Sequence, residues 1–138
     1  MLGRLAGGGV DAVIALADGS IVGHAMAADE HDFSEQPARG AHMHRGEQRS
    51  EVGVVVTDSW QGRGVGSALM QALVARAESR GVTCLAMDVL HGNHQVLAMI
   101  AAHWPMSRSS RSCECLTILV PVGWRERYPA GFSQTETC

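Results

Sequence analysis

The sequence predicts a single α/β domain, and three observations support that prediction. Short apolar runs of strand length recur along the chain, and two stretches between them have apolar residues at helical spacing. A glycine-rich turn lies between one strand-like run and the longer helical stretch. The length of 138 residues suits one domain. We expect that domain to span residues 1–122, with a core over 11–122 and a polar tail over 123–138.

The first half of the chain predicts a β-hairpin followed by a buried strand. Apolar runs at residues 11–16 and 21–27 flank an Asp-Gly pair, which tolerates the positive φ angles of a tight turn. Residues 28–50 are polar and contain many His, Glu and Arg, so we expect a long loop there. Residues 51–57 (EVGVVVT) are β-branched and nearly all apolar, which is typical of a central strand.

The second half predicts two helices that alternate with two strands. From the glycine-rich turn to Arg80 the apolar residues share one helical face, and Gly81 is a natural helix stop. Residues 82–90 indicate a second buried strand, and a short helix is expected from Asn93 to the break at Pro105. The last two predicted segments are a polar connection at 107–112 and a strand at 115–122.

The composition narrows the class of protein. The chain is 46% hydrophobic and 18% charged, with a formal net charge of −3. It therefore lacks the surplus of cations that sequence-independent binding to nucleic acid requires. No apolar run approaches the roughly 20 residues that cross a bilayer, and the N-terminus has no leader pattern. We expect a soluble cytoplasmic protein with no nucleic-acid or membrane partner.

The Cys and His residues do not predict a metal site. The four Cys form no C-x-x-C pair, and no second pair stands at a zinc-site spacing. His42 and His44 lie in a polar, glycine-containing stretch, and the pair His91 and His94 has only Asp88 as a nearby carboxylate. Exposed loop histidines are the simpler interpretation, so no metal is expected.

The glycine-rich turn suggests phosphate binding, because the free N–H groups at a helix N-terminus attract anions. All eleven basic residues are Arg, so a P-loop, which requires Lys, is excluded. A dinucleotide-binding turn needs G-x-G-x-x-G, but its third glycine would fall at Ser67 or Leu69. Asp88 stands near the acidic position of that fingerprint, so the dinucleotide alternative stays open.

Gln61-x-x-Gly64-x-Gly66 matches the pattern Q/R-x-x-G-x-G/A, which binds the coenzyme A pyrophosphate in the GNAT family of acetyl-CoA-dependent N-acyltransferases. Residues 11–104 resemble that family in the order of their elements, and the stretch AMDVLHGNHQVLAMI is most similar to bacterial protein-lysine acetyltransferase domains. The resemblance implies a mixed, mostly antiparallel sheet with helices on both faces. It also implies a shortened N-terminus, because the family places a strand and two helices before the hairpin, and here only ten residues precede it.

The resemblance further implies that the chain moves an acetyl group from acetyl-CoA, as co-substrate, to a primary amine by direct attack on the thioester. The acceptor would be a small molecule, a protein lysine or a protein N-terminus. Glu51 matches a frequent position of the general base in the family. Backbone groups of Val54 and Val56 would hold the pantetheine arm and the thioester oxygen. The full set of implied coenzyme-binding residues is Val54, Val55, Val56, Gln61, Gly62, Arg63, Gly64, Val65, Gly66, Ser67 and Asn93.

Several alternatives stay open at this point. Glu51 could be a charged residue that leaves a loop, and Asn93 could be only a helix N-cap. The family commonly places a Tyr near Ile100, whereas the one Tyr of this chain is Tyr128 in the tail. The alternative function is therefore a coenzyme-A-binding domain without turnover. For the missing N-terminal elements, the alternatives are a truncated reading frame or a homodimer whose second protomer supplies the acceptor wall.

Overall fold

The computed structural model describes residues 2–7, 9–29 and 48–123. Within these residues the chain forms seven strands, two α-helices and a short 3₁₀ turn at Asp58–Trp60. In chain order the elements are β1 (Leu2–Gly7), β2 (Val10–Ala17), β3 (Ser20–Asp29), β4 (Arg49–Val56), α1 (Val65–Ser79), β5 (Cys84–Leu90), α2 (His94–His103), β6 (Arg108–Arg111) and β7 (Cys115–Pro121).

The strands form one sheet in the order β1-β2-β3-β4-β5-β7-β6. β4 and β5 run parallel, and every other neighbouring pair is antiparallel. The prediction of a mixed, mostly antiparallel α/β fold is therefore confirmed. No helix in the described part of the chain is long and apolar enough to span a membrane.

The hairpin, the central strand and both helices form where the sequence predicts them. Asp18 and Gly19 have φ angles of 48° and 77°, as the tight turn between β2 and β3 requires. α1 ends at Ser79, before Gly81 in the left-handed conformation. β3 and β4 extend into both ends of the predicted loop at 28–50, up to Asp29 and from Arg49. The interior of that loop lies outside the described residues.

Two strands were missed. The prediction of a polar connection at 107–112 is wrong, because Arg108–Arg111 forms β6 and pairs with β7. All four of its residues are exposed, so this edge strand has no apolar pattern to reveal it. The sequence also indicated no strand at Leu2–Gly7, where β1 pairs with β2 over six residues. Its glycines lower the strand propensity, and the pairing with β2 overrides that preference.

β1 changes the expectation of a shortened N-terminus. The resemblance implied a strand and two helices ahead of the hairpin, and β1 now provides an antiparallel strand at that place in the sheet. Only two residues separate β1 from β2, so the two helices are not inserted between them. The predicted tail, with Tyr128, lies outside the described residues beyond Gly123.

Both described helices pack on the same face of the sheet, rather than on both faces as the resemblance implied. Side chains alternate between the two faces of a strand. One set of alternating side chains from β4, β5 and β7 lies in the same buried cluster as residues of α1 and α2. That cluster includes Val52, Leu85, Met87, Ile118, Val120, Leu69, Leu73, Ile100 and Trp104. The opposite face carries Glu51, Val55 and Leu90, which are exposed.

An ionic network fastens the C-terminal end of α1 to the hairpin. Asp11, buried on β2, forms salt bridges with Arg76 and Arg80. Arg80 also donates to Asp29 at 3.2 Å, and the hydroxyl of Ser50 donates to Asp29 at 2.6 Å. Burial alone would lower the pKa of Arg80, but its hydrogen bond to Asp29 and the charges of both aspartates raise it. Arg80 therefore stays charged at any working pH.

Candidate functional site

A cleft opens where β4 and β5 part. The two strands pair only through Arg49–Glu51 on β4 and residues 84–86 on β5. Beyond Glu51, β4 continues beside β3 alone, and β5 continues beside β7 alone. The space between them, covered by the start of α1 and by α2, is a cleft of about 570 Å³.

One side of the cleft presents backbone groups of β4. The N–H of Thr57 donates to the C=O of Val22 at 2.9 Å, and Val55 lies opposite His24. Because hydrogen-bonding residues alternate in an antiparallel ladder, the backbone groups of Val55 point toward β3. Those of Val54 and Val56 therefore point toward the cleft, where no described strand pairs with them.

The N-terminus of α1 presents backbone donors to the same cleft. The first α-helical bond runs from Ala68 N–H to Gly64 C=O at 3.0 Å. The N–H groups of Val65, Gly66 and Ser67 precede that bond, and they carry the partial positive charge of the helix start. Gly64 has a φ of 85° and provides no side-chain cap. A Cβ at Gly64 would meet nothing within 4 Å, so the space beside these donors is open.

Gln61 shapes the turn that leads into α1. Its Nε2 donates to the C=O of Val56 at 3.1 Å and to Oδ1 of Asp58 at 3.0 Å. The side chain thus ties the end of β4 to the 3₁₀ turn. The first residue of the Q-x-x-G-x-G pattern therefore holds the backbone in place, and the glycines that follow keep it accessible.

Most of the predicted coenzyme-binding residues meet in this cleft, although their role in binding stays a prediction. Those that line it are Val54, Val56, Gln61, Gly62, Gly64, Gly66, Ser67 and Asn93. Three others do not line it. The backbone of Val55 pairs with β3, Val65 is half-buried against the core cluster, and the guanidinium of Arg63 stacks 4.0 Å over the ring of Trp60.

Asn93 caps α2, as the structural alternative predicted. Its Oδ1 accepts the N–H of Val96 at 3.3 Å, which satisfies one of the free donors at the helix start. The cap uses the carbonyl end of the side chain, and Asn93 also lines the cleft. Its amide Nδ2 is a donor that the cap does not use, so capping and ligand binding are compatible.

Sequence reasoning missed the apolar wall of the cleft and one polar residue. Met70, Met87, Val96 and Met99 line the cleft, and nothing in their sequence pattern predicts that role. Gln95 also lines it, and its Nε2 lies 3.2 Å from where a Cβ on Gly62 would stand. No sequence pattern identifies Gln95 as a cleft residue, because it reaches the cleft through the packing of α2 beside the glycine-rich turn.

Glu51 stands at the point of divergence but faces away from the cleft. It is the last residue of β4 paired with β5, and it lies opposite Ala28 on β3 and Ala86 on β5. Its side chain is exposed on the face of the sheet that lacks the two described helices. The gap beyond Glu51 thus begins beside an exposed carboxylate on the face of the sheet that carries no described helix.

Two of the described histidines have hydrogen-bond partners. His91 Nε2 lies 3.2 Å from the C=O of Ser112, and His103 Nε2 lies 2.8 Å from the hydroxyl of Ser67. Among the residues that the structure describes, no group of three or more His, Cys, Asp or Glu could hold a metal ion. His31, His42 and His44 lie outside those residues.

Comparison with solved structures shows the same fold. The GNAT domain of S. lividans PAT is 23% identical with a TM-score of 0.63, over 83% of this chain and 61% of that one. The ribosomal-protein-alanine N-acetyltransferase of Brucella melitensis is 21% identical with a TM-score of 0.60, over 80% and 67%. The PaiA N-acetyltransferase of Thermoplasma acidophilum, in complex with coenzyme A, is 8% identical with a TM-score of 0.60, over 81% and 60%.

The family comparison agrees with the fold. No protein of curated description matches the sequence. The chain spans about 61% of the length of the S. lividans domain. The model of the acetyltransferase (GNAT) family matches residues 5–103, which include the hairpin, the glycine-rich turn, α1 and α2. This chain therefore belongs to the GNAT acetyltransferase family.

Proposed function

We propose that this chain is an N-acyltransferase that moves an acetyl group from acetyl-CoA to a primary amine. The main support for this proposal is that two sets of backbone groups face the same cleft. The free N–H groups at the start of α1 suit a pyrophosphate, and the unpaired edge of β4 suits the amides of a pantetheine arm. Coenzyme A contains both groups in one linear molecule.

The geometry supports one placement of the coenzyme. The pyrophosphate lies against the N–H groups of Val65, Gly66 and Ser67, with Gln95 beside Gly62. The pantetheine arm runs along Val54 and Val56 into the gap between β4 and β5. Since that gap is open beyond Glu51, an acceptor can approach the thioester from the face opposite the helices.

In the proposed reaction the neutral amine attacks the thioester carbon, and a backbone N–H of β4 stabilises the oxyanion that forms. Glu51 removes the proton from the new ammonium group through water. Collapse of the intermediate breaks the carbon–sulfur bond and leaves an amide and the coenzyme thiolate, which then takes a proton from solvent. Glu51 is exposed at the mouth of the gap, where a water can join it to the nitrogen.

A dedicated acid is not required for the last step. Ile100 and Ala101 stand where the family commonly has a Tyr, and Ile100 is 2% exposed within the core cluster. A free thiol has a pKa of about 8.5, so its thiolate is a tolerable leaving group near neutral pH. The same replacement is the observation that favours the second candidate, coenzyme A binding without turnover.

Two measurements test the proposal. Acetyl-CoA at a hundredfold excess over its dissociation constant should stabilise the fold by about 2.7 kcal/mol, whereas NAD should not. Release of free thiol from acetyl-CoA, measured with a panel of small amines and peptide amines, then separates transfer from binding alone. A stabilisation by NAD that acetyl-CoA does not produce would favour the dinucleotide alternative.

The class of acceptor amine, a homodimer and a cytoplasmic location stay predictions. The exposed Glu51 supports approach of the acceptor from that face of the sheet. The panel of amines identifies the acceptor class, and the mass of the protein in solution tests the dimer.

A further inference from the structure

The hydroxyl of Ser67 connects the cleft to the end of α2. Its oxygen lies 2.8 Å from Nε2 of His103 and accepts a hydrogen bond from Nε2 of Gln71 at 3.1 Å. Ser67 lines the cleft beside Gly64 and Gly66, and it is the third residue of α1. The hydroxyl therefore stands next to the free N–H groups at which we place the pyrophosphate.

The hydrogen-bond capacity of this hydroxyl is limited to one donated and two accepted bonds. The Gln71 amide takes one lone pair. If Nε2 of His103 carries no proton, Ser67 donates its proton to the ring and offers only a lone pair to the cleft, which repels a phosphate oxygen. If Nε2 carries a proton, it donates into the second lone pair of Ser67. The hydroxyl proton is then free to donate into the cleft.

The packing of α2 holds the imidazole in this position. His103 is the last residue of α2, and the ring of the next residue, Trp104, lies 5.6 Å from the imidazole. Trp104 is buried in the core cluster, so the end of α2 cannot move away from α1 without opening the core. The contact between Ser67 and His103 is therefore set by the tertiary structure.

We propose that His103 is a positioning residue for coenzyme binding. The Nε2–H of its imidazole donates to Ser67, and Ser67 in turn donates its hydroxyl proton to the pyrophosphate. The inference rests on the proposed function, because it requires the pyrophosphate at the start of α1. His103 acts through Ser67 and does not itself touch the coenzyme.

The first test compares dissociation constants by calorimetry for coenzyme A and for pantetheine, which lacks the pyrophosphate. His103→Phe keeps a ring but removes the donor that orients the Ser67 hydroxyl, so it should weaken coenzyme A binding about fivefold, less than the loss of the hydroxyl itself. His103→Gln retains an N–H donor and should bind within about twofold of the wild type. Pantetheine binding should be unchanged in both variants. His94→Phe, on the same helix, is the matched control and should also be unchanged.

A double-mutant cycle tests whether His103 acts through Ser67. Ser67→Ala should weaken coenzyme A binding about tenfold, and His103→Phe added to it should cause no further loss. Equal and independent losses from the two changes would overturn the proposed relay. Equal weakening of pantetheine by His103→Phe would also overturn it, since that outcome indicates a general loss of structure.

The tautomer of His103 gives a direct signature. The nitrogen chemical shifts of the ring should show a proton on Nε2 in the coenzyme A complex. A complex in which Nε2 remains unprotonated would overturn the inference while leaving the proposed function intact. If the wild type binds neither coenzyme A nor pantetheine, the proposed function fails, and this inference fails with it.

Discussion

The two ends of the β4–α1 unit are built in opposite ways. At the closed end, where β4 begins and α1 ends, β4 is paired on both sides, and Asp11, Asp29, Arg76 and Arg80 form one ionic network. At the open end, where β4 ends and α1 begins, β4 has lost its β5 neighbour and α1 starts at an uncapped glycine. The closed end thus pairs its charged side chains within the protein, and the open end keeps backbone groups available for a ligand.

Groups that stabilise the fold and groups that can bind a ligand thus lie at opposite ends of the same two elements. Polar groups left without partners cost free energy, and this cost is tolerated where solvent or a ligand can meet them. Glu51 stands at the border between the two ends, as the last residue of β4 paired on both sides. Changes at the closed end should therefore affect folding, and changes at the open end should affect binding and turnover.

The largest expected effect is a loss of turnover when Glu51, between the closed end and the open end, is replaced. Glu51→Gln should lower turnover by roughly 10²–10⁴-fold and leave the coenzyme A dissociation constant nearly unchanged, because the change removes a base and no binding group. The loss should shrink at high pH, where the amine is deprotonated without help. Steady-state rates across pH 6 to 9 check this, with Glu78→Gln on exposed α1 surface as the control. Wild-type turnover in Glu51→Gln would show that Glu51 is not the general base.

At the open end, Gly64→Asp should abolish the stabilisation of about 2.7 kcal/mol that excess acetyl-CoA provides. The new carboxylate occupies and repels the pyrophosphate position. Gly19→Asp is a matched control, because Gly19 and Gly64 have similar φ angles of 77° and 85° and both have open space around a Cβ. Both variants should lose similar stability without ligand, and only Gly19→Asp should keep the acetyl-CoA shift in thermal unfolding. A shift retained by both would place the site elsewhere.

At the closed end, Asp11→Asn should destabilise the fold by about 2 kcal/mol. Breaking a buried ion pair costs about 3–5 kcal/mol, and the partial exposure of Arg76 and Arg80 reduces that cost. Denaturant unfolding measures the loss, and Asp18→Asn in the hairpin turn should show almost none. The acetyl-CoA shift should survive in Asp11→Asn. If it disappears, the two ends are not independent.

The smallest effects compare a glycine in the first turn of α1 with the glycine that follows its end. Gly66→Ala should stabilise the chain without ligand by about 0.5–1 kcal/mol, since Ala favours helix and its Cβ would meet Val56 at an ordinary 3.7 Å. Gly81→Ala should destabilise by about 1 kcal/mol, because Gly81 has a φ of 81°. Thermal unfolding of both variants checks the opposite signs, and a loss in Gly66→Ala would mean that the start of α1 is more crowded than its geometry indicates.

Local signals explain which elements the sequence could predict. The β2–β3 turn depends on Asp18 and Gly19, and the start of α2 depends on Asn93, so each is encoded within a few residues. β1 and β6 depend instead on backbone pairing with a neighbour, which leaves little mark on their own composition. The apolar spacing of α1 predicts a face that includes Leu69 and Leu73, and both are buried in the core cluster. Met70 stands outside that predicted face, yet it is buried and reaches the cleft.

The α/β class, the hairpin, both described helices and the glycine-rich turn are all predictable from the order of the residues. Turn residues, helix caps and apolar periodicity act over a few neighbouring residues, so a single stretch of sequence reveals them. Three features become visible in the folded chain alone: the point where β4 parts from β5, the face that the two described helices cover, and the contact of His103 with Ser67 across 36 residues of chain. These features arise from the packing of elements distant in sequence, whose relative placement no local propensity specifies.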